Sequence, residues 1–140
     1  MTSNTKVWDL PTRIFHWALA ASFAGAYVLS ESERLRNVHV ALGYTVLGLL
    51  AFRLVWGFTG PRYARFSSFV HSPVAAFRYL RDEMRGRAPR YVGHNPAGSW
   101  AVFGLLILGV ATGVTGYLNF NELGGESMED LHEASATAWL

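Results

Sequence analysis

Residues 38–57, Val-His-Val-Ala-Leu-Gly-Tyr-Thr-Val-Leu-Gly-Leu-Leu-Ala-Phe-Arg-Leu-Val-Trp-Gly, constrain the fold more than any other stretch. Twenty residues of helix span about 30 Å, roughly the hydrocarbon thickness of a bilayer. Within them only His39, near the start, and Arg53, near the end, can carry charge. Fourteen residues separate the two, about 21 Å of helix and within roughly 40° of the same face. Polar groups inside a span face the protein interior and mark function. Gly43, one turn after His39, leaves room on that face for something flat and large.

The rest of the chain repeats this chemistry. Apolar residues make up 51% of the 140 residues and charged residues 16%, against roughly 25% in soluble domains. The apolar residues come in long runs, which favours an integral membrane protein of one domain. The start of the chain lacks a basic region, short apolar core and small-residue cleavage site, so the first apolar segment is expected to be an uncleaved span. The spacing predicts spans over about 14–30, 38–58 and 99–120, and the start of a fourth over 127–140. That fourth helix covers only about 22 Å, short for a span. Lys6 to Arg13 is a polar lead-in, with Asp9 suited to cap the first helix and Pro11 to its first turn. Ser72-Pro73 opens a short amphipathic helix over 73–86, with arginines between Val74, Phe77, Leu80 and Met84, expected to lie on the membrane surface. Ser127 and Asp130 resemble a capping box. Gly109 and Gly113 form a small-xxx-small pair for close helix approach.

Charge sets the orientation. Arg53 to Arg90 holds eight arginines and two acids, whereas Glu122 to Glu133 holds five acids and no Lys or Arg. A basic stretch flanked by apolar spans reads as a topology signal and not as a nucleic-acid interface. The arginine-rich segment and the N-terminus then lie on the inner side. The loops after the first and third spans lie outside.

This topology sorts the five histidines by depth. His16 lies near the inner end of the first span. His39 and His132 reach the outer face on parallel helices. His71 and His94 fall in or beside the inner loop and read as loop residues. Two imidazoles at matched depth on different helices suit the axial positions of one haem gripped between helices. Bis-His ligation leaves no open iron position, which means electron transfer and not oxygen binding. Arg53 either snorkels to the inner interface or pairs with a haem propionate. Trp17, Tyr27, Trp56, Trp100 and Tyr117 read as an interfacial aromatic belt. The absence of cysteine excludes disulfides, thiolate metal sites and c-type haem attachment. No nucleophile–base pair, phosphate loop or carboxylate cluster stands out.

Several stretches carry a resemblance. Val-Trp-Asp-Leu-Pro-Thr-Arg-Ile-Phe-His-Trp (7–17), Val-His-Val-Ala-Leu-Gly-Tyr (38–44), Phe-Arg-Leu-Val-Trp-Gly-Phe (52–58), Arg-Tyr-Ala-Arg-Phe (62–66), Tyr-Val-Gly-His-Asn-Pro-Ala-Gly (91–98) and Leu-His-Glu (131–133) resemble, in order, the prokaryotic cytochrome b561 family, which includes the cytochrome b subunits of nickel–iron hydrogenases. The resemblance implies an all-α, di-haem, four-helix bundle in the bacterial cytoplasmic (inner) membrane. It implies two haem b groups and electron transfer between a quinone pool and a partner redox protein, a c-type cytochrome or a hydrogenase-like subunit, or within a homo-oligomer. His16 matches the first-helix ligand of the inner haem. His39 and His132 match the ligands of the outer haem. Arg13 and Arg53 become candidates to pair with propionates at the inner haem, with Gly43 beside the outer one. The family's second fourth-helix ligand follows the first by about fourteen residues, and counting on from His132 passes Leu140. The outer site is therefore the one that these residues furnish fully. The rival expectations are a docking membrane subunit with one haem or none, and a proton-coupled transporter, against which the lack of acids in the three full spans counts.

Overall fold

A computed structural model describes residues 7–140; Lys6, the first residue of the expected polar lead-in, lies outside them. Among the described residues the regular structure is helical, with five α-helices and no strand. They are α1 (Leu10–Val28), α2 (Arg36–Thr59), α3 (Pro73–Met84), α4 (Pro96–Phe120) and α5 (Glu126–Trp139). Short 3₁₀ turns at Glu33–Leu35 and Phe66–Ser68 lead into α2 and into the segment before α3.

The helix ends follow local chemistry, with two exceptions. Pro96 begins α4 and the Asn95 side chain accepts the Gly98 N–H at 2.7 Å. Ser72 caps α3 by accepting the Ala75 N–H at 3.2 Å, and Gly86, at φ +65°, follows its end in the left-handed region open to glycine. Asp9 has N-cap backbone geometry but makes no capping bond; its carboxylate accepts Trp56 Nε1–H from α2 at 2.9 Å. The Ser127–Asp130 box does not form either. Helix α5 begins at Glu126, behind Gly125 at φ +65°, and the Ser127 hydroxyl donates back to the Gly124 carbonyl.

Helix α4 packs against α5, α2 and α3, and α2 packs against α1. The core joins Val46 and Leu50 of α2, Leu106 of α4 and Trp139 of α5. The Trp139 ring reaches α1 as well, 4.5 Å from the Phe23 ring. It fits because a Cβ on Gly109 would lie 2.6 Å from it. One turn on, Leu47 of α2 fills the space that a Cβ on Gly113 would need. The glycine pair thus lets two neighbours approach α4 on two sides.

The outside of the bundle is apolar. Ile14, Trp17, Val28, Val55, Phe58 and Ile107 are each at least 60% exposed. Two helical segments are long and apolar enough to cross a membrane, Glu33–Thr59 and Pro96–Phe120. Helix α1, which carries Arg13 and His16, and the 14-residue α5 do not meet that measure.

Candidate functional site

At one end of the bundle α1, α2, α4 and α5 enclose a cavity of about 890 Å³. His39 and His132 both line it, from the first turn of α2 and the second turn of α5. Their ring centroids are 6.1 Å apart and their planes cross at 87°. Each ring is held by the backbone of another helix. His39 Nδ1–H donates to the Ala26 carbonyl of α1 at 2.7 Å. That carbonyl is available because α1 tightens at its end: the Ser30 N–H turns to Tyr27 and leaves Ala26 as a helix-terminal acceptor. His132 Nδ1–H donates to the Thr112 carbonyl of α4 at 2.9 Å. With Nδ1 protonated, the neutral imidazole keeps the lone pair on Nε2, the tautomer that binds a metal.

A metal–imidazole bond is about 2 Å long. With the ring centre about 1 Å behind the nitrogen, two imidazoles on opposite sides of one metal ion have centroids about 6 Å apart. The observed centroid separation is of that size, with the two rings edge-on to each other. Among the described residues no group of three or more His, Asp or Glu could hold a metal ion. Gly43 lines the cavity with open space where its Cβ would be, which leaves room for a flat ring system. Glu31, Glu33, Glu129, Glu133 and one cation, Arg36, also line the cavity.

The opposite end of the bundle gathers around Arg53. This side chain is 4% exposed, stacks over the Phe66 ring at 4.7 Å, and has Nη1 buried with no hydrogen-bond partner. Phe66 reaches it across Gly57, whose missing side chain makes the space. Among the described residues no carboxylate forms an ion pair with Arg53; the one ion pair is exposed, between Arg81 and Asp82. His94 stacks on Phe69 at 4.5 Å. Burial, then the nearby Arg53 charge, holds its pKa below the usual histidine value.

The predicted site residues thus divide. His39, His132 and Gly43 converge on one cavity. His16 and Arg13 are exposed on α1, with the His16 ring edge-on to Trp8 and Trp17 at 5.4 and 5.6 Å. His71 is a loop clasp, with Nδ1 2.9 Å from the Phe69 carbonyl and 3.1 Å from the Ser99 hydroxyl. Sequence reasoning did not single out Gly116, Thr112, Ala26 or Phe66. All four act through tertiary neighbours; Phe66 closes one of the motifs that carry the resemblance, and Gly116 is one of several glycines in α4.

A family model described as prokaryotic cytochrome b561 matches residues 7–140. The chain belongs to the prokaryotic cytochrome b561 family. It is 32% identical to the "Probable Ni/Fe-hydrogenase B-type cytochrome subunit" of Azotobacter vinelandii, over 89% of this chain and 63% of that protein. The similarly named protein of Rhizobium leguminosarum bv. viciae is 26% identical, over 98% of this chain and 67% of its own length. The "Probable Ni/Fe-hydrogenase 1 B-type cytochrome subunit" of Escherichia coli K12 is 27% identical, over 83% of this chain and 60% of its own. The chain therefore spans about three fifths to two thirds of these relatives. No solved structure matches it.

Proposed function

We propose that this cytochrome b561 family member is a membrane b-type cytochrome that relays single electrons, with His39 and His132 as the two axial ligands of one haem b. The observation that carries the reading is the imidazole pair 6.1 Å apart in a cavity of about 890 Å³, both Nδ1–H groups tied to backbone carbonyls. Bound there, haem supplies a one-electron couple. The chain's own work is to present two Nε2 lone pairs, hold the ring tautomers through Ala26 and Thr112, and line the site with the apolar side chains of Phe23, Leu47 and Trp139. Bonds from Nδ1–H to a carbonyl raise the basicity of the ligating nitrogen.

The outward apolar side chains support insertion in a bilayer, with α2 and α4 as two of the spans and α1 and the start of a fourth helix beside them. The arginine-rich segment then faces the cytoplasm with the N-terminus, and α3 lies at that lipid surface. The histidine pair is near the outer face.

We propose a second haem at the inner end as well. Arg53 is a buried cation with an unpaired Nη1, and a buried charge of this kind calls for an anion. We assign that anion as a propionate of a haem whose first ligand is His16, with Arg13 as a further partner. The names of the relatives support a nickel–iron hydrogenase as the redox partner, and we propose the quinone pool as the membrane-side partner. The test is a reduced-minus-oxidised spectrum of the purified protein with haem per chain by pyridine haemochrome. A b-type spectrum with at least one haem per chain is expected. A haem-free chain after expression with ample haem contradicts the reading and leaves a docking subunit.

A further inference from the structure

The planes of the two histidine rings lie at 87° to each other, and each ring is pinned by a different helix. A ligating imidazole turns easily about its bond to the metal, so ring direction is set by what its other nitrogen bonds. For His39 that is the Ala26 carbonyl. For His132 it is the Thr112 carbonyl, a group in the middle of α4. A mid-helix carbonyl normally lies beneath the side chain four residues on, and here that residue is Gly116. A Cβ on Gly116 would lie 2.7 Å from His132 Cε1 and 3.0 Å from Nδ1. Those are ring atoms on a short, packed side chain, and relief requires the ring to turn or withdraw. The Thr115 hydroxyl, bonded to Ala111 and Thr112 carbonyls, closes the other side of the ring with its oxygen 3.5 Å from His132 Nδ1.

We propose that Gly116 is a positioning residue: it opens the Thr112 carbonyl to His132 and so keeps the His132 ring crossed against the His39 ring when both bind iron. This rests on the reading of His39 and His132 as axial ligands. Ring direction matters to iron because each imidazole donates π density into one iron d orbital. Parallel rings load the same orbital and split the pair, whereas crossed rings load both and leave them close in energy. Oxidised low-spin iron then gives a single, highly anisotropic feature at low field in electron paramagnetic resonance. Parallel rings give the three-line rhombic spectrum.

The experiment is low-temperature electron paramagnetic resonance of the oxidised protein as wild type, Gly116→Ala and Gly104→Ala. Gly104 is the control on the same helix, since a Cβ there meets nothing within 4 Å. The single low-field feature is expected in the wild type and in Gly104→Ala. Gly116→Ala is expected to lose it in favour of a rhombic signal while keeping a b-type optical spectrum. A rhombic wild-type signal from the His39/His132 haem overturns the proposal, as does a Gly116→Ala spectrum equal to the wild type. A Gly116→Ala chain that folds but binds no haem also overturns the proposal, since a residue that only sets ring direction leaves ligation in place. Failure of the ligand reading looks different: His39→Ala and His132→Ala then leave every haem signal in place.

Discussion

Arg53 concentrates the residue-scale physics of the bundle end opposite the histidine pair. Its guanidinium is almost wholly buried, lies on Phe66 and leaves Nη1 without a partner. If the native protein supplies an anion there, Arg53→Met strips a partner from a buried charge pair, a loss of about 3–5 kcal/mol. The thermal midpoint of the purified protein should fall. A midpoint that stays or rises shows that no anion sits there. His94 gives a second prediction through pH. Burial and the Arg53 charge lower its pKa in the folded chain, so the unfolded chain, near pKa 6.5, binds the proton more readily. Stability is therefore lost as pH falls below about 6.5 toward the lowered folded value. His94→Gln should flatten the acid side of the stability curve, measured as denaturation midpoint against pH. An unchanged slope contradicts this account of His94. At this scale spacing and depth brought His39, His132 and Gly43 together in sequence, and the structure places all three on one cavity. The roles of Thr112, Ala26 and Phe66 were not legible there, because a carbonyl or an aromatic ring acquires its role only from a neighbour on another helix.

Between elements, glycine decides who touches α4. Trp139 and Leu47 occupy the places of the missing side chains at Gly109 and Gly113. Gly113→Val should overpack the α2–α4 seam and cost about 1–3 kcal/mol, read as a lower thermal midpoint in detergent. Ser72→Ala should cost α3 about 1 kcal/mol and speed amide exchange at its first turn, leaving α2 and α4 unchanged. The helices were legible because apolar runs, Gly60-Pro61, Ser72-Pro73 and Asn95-Pro96 mark their ends. Two caps were misread for a physical reason. Asp9 is recruited by Trp56, 47 residues away, and the Gly124-Gly125 turn starts α5 one residue before Ser127. Local patterns carry no information about a partner so distant in sequence.

For the whole molecule, the apolar exterior and the charge asymmetry define the account. The chain has no cysteine, so single-cysteine variants report topology without background. Arg87→Cys should react with an impermeant thiol reagent only from the cytoplasmic side, and Glu122→Cys only from the outer side. Labelling of both from one side contradicts the orientation. The membrane class was legible in composition, since long apolar runs with few charges leave little else to fold into. The number of spans was not. Helix α1 carries Arg13 and His16, and α5 has 14 residues; neither is long and apolar enough to read as a span by itself, and they pack against α2 and α4 respectively.

The most direct measurement is the reduced-minus-oxidised spectrum of His39→Ala and His132→Ala beside the wild type, at matched protein concentration. Loss of the same b-type component in both variants, with Gly104→Ala unaffected, is the result this account predicts. A full wild-type spectrum in both variants contradicts it.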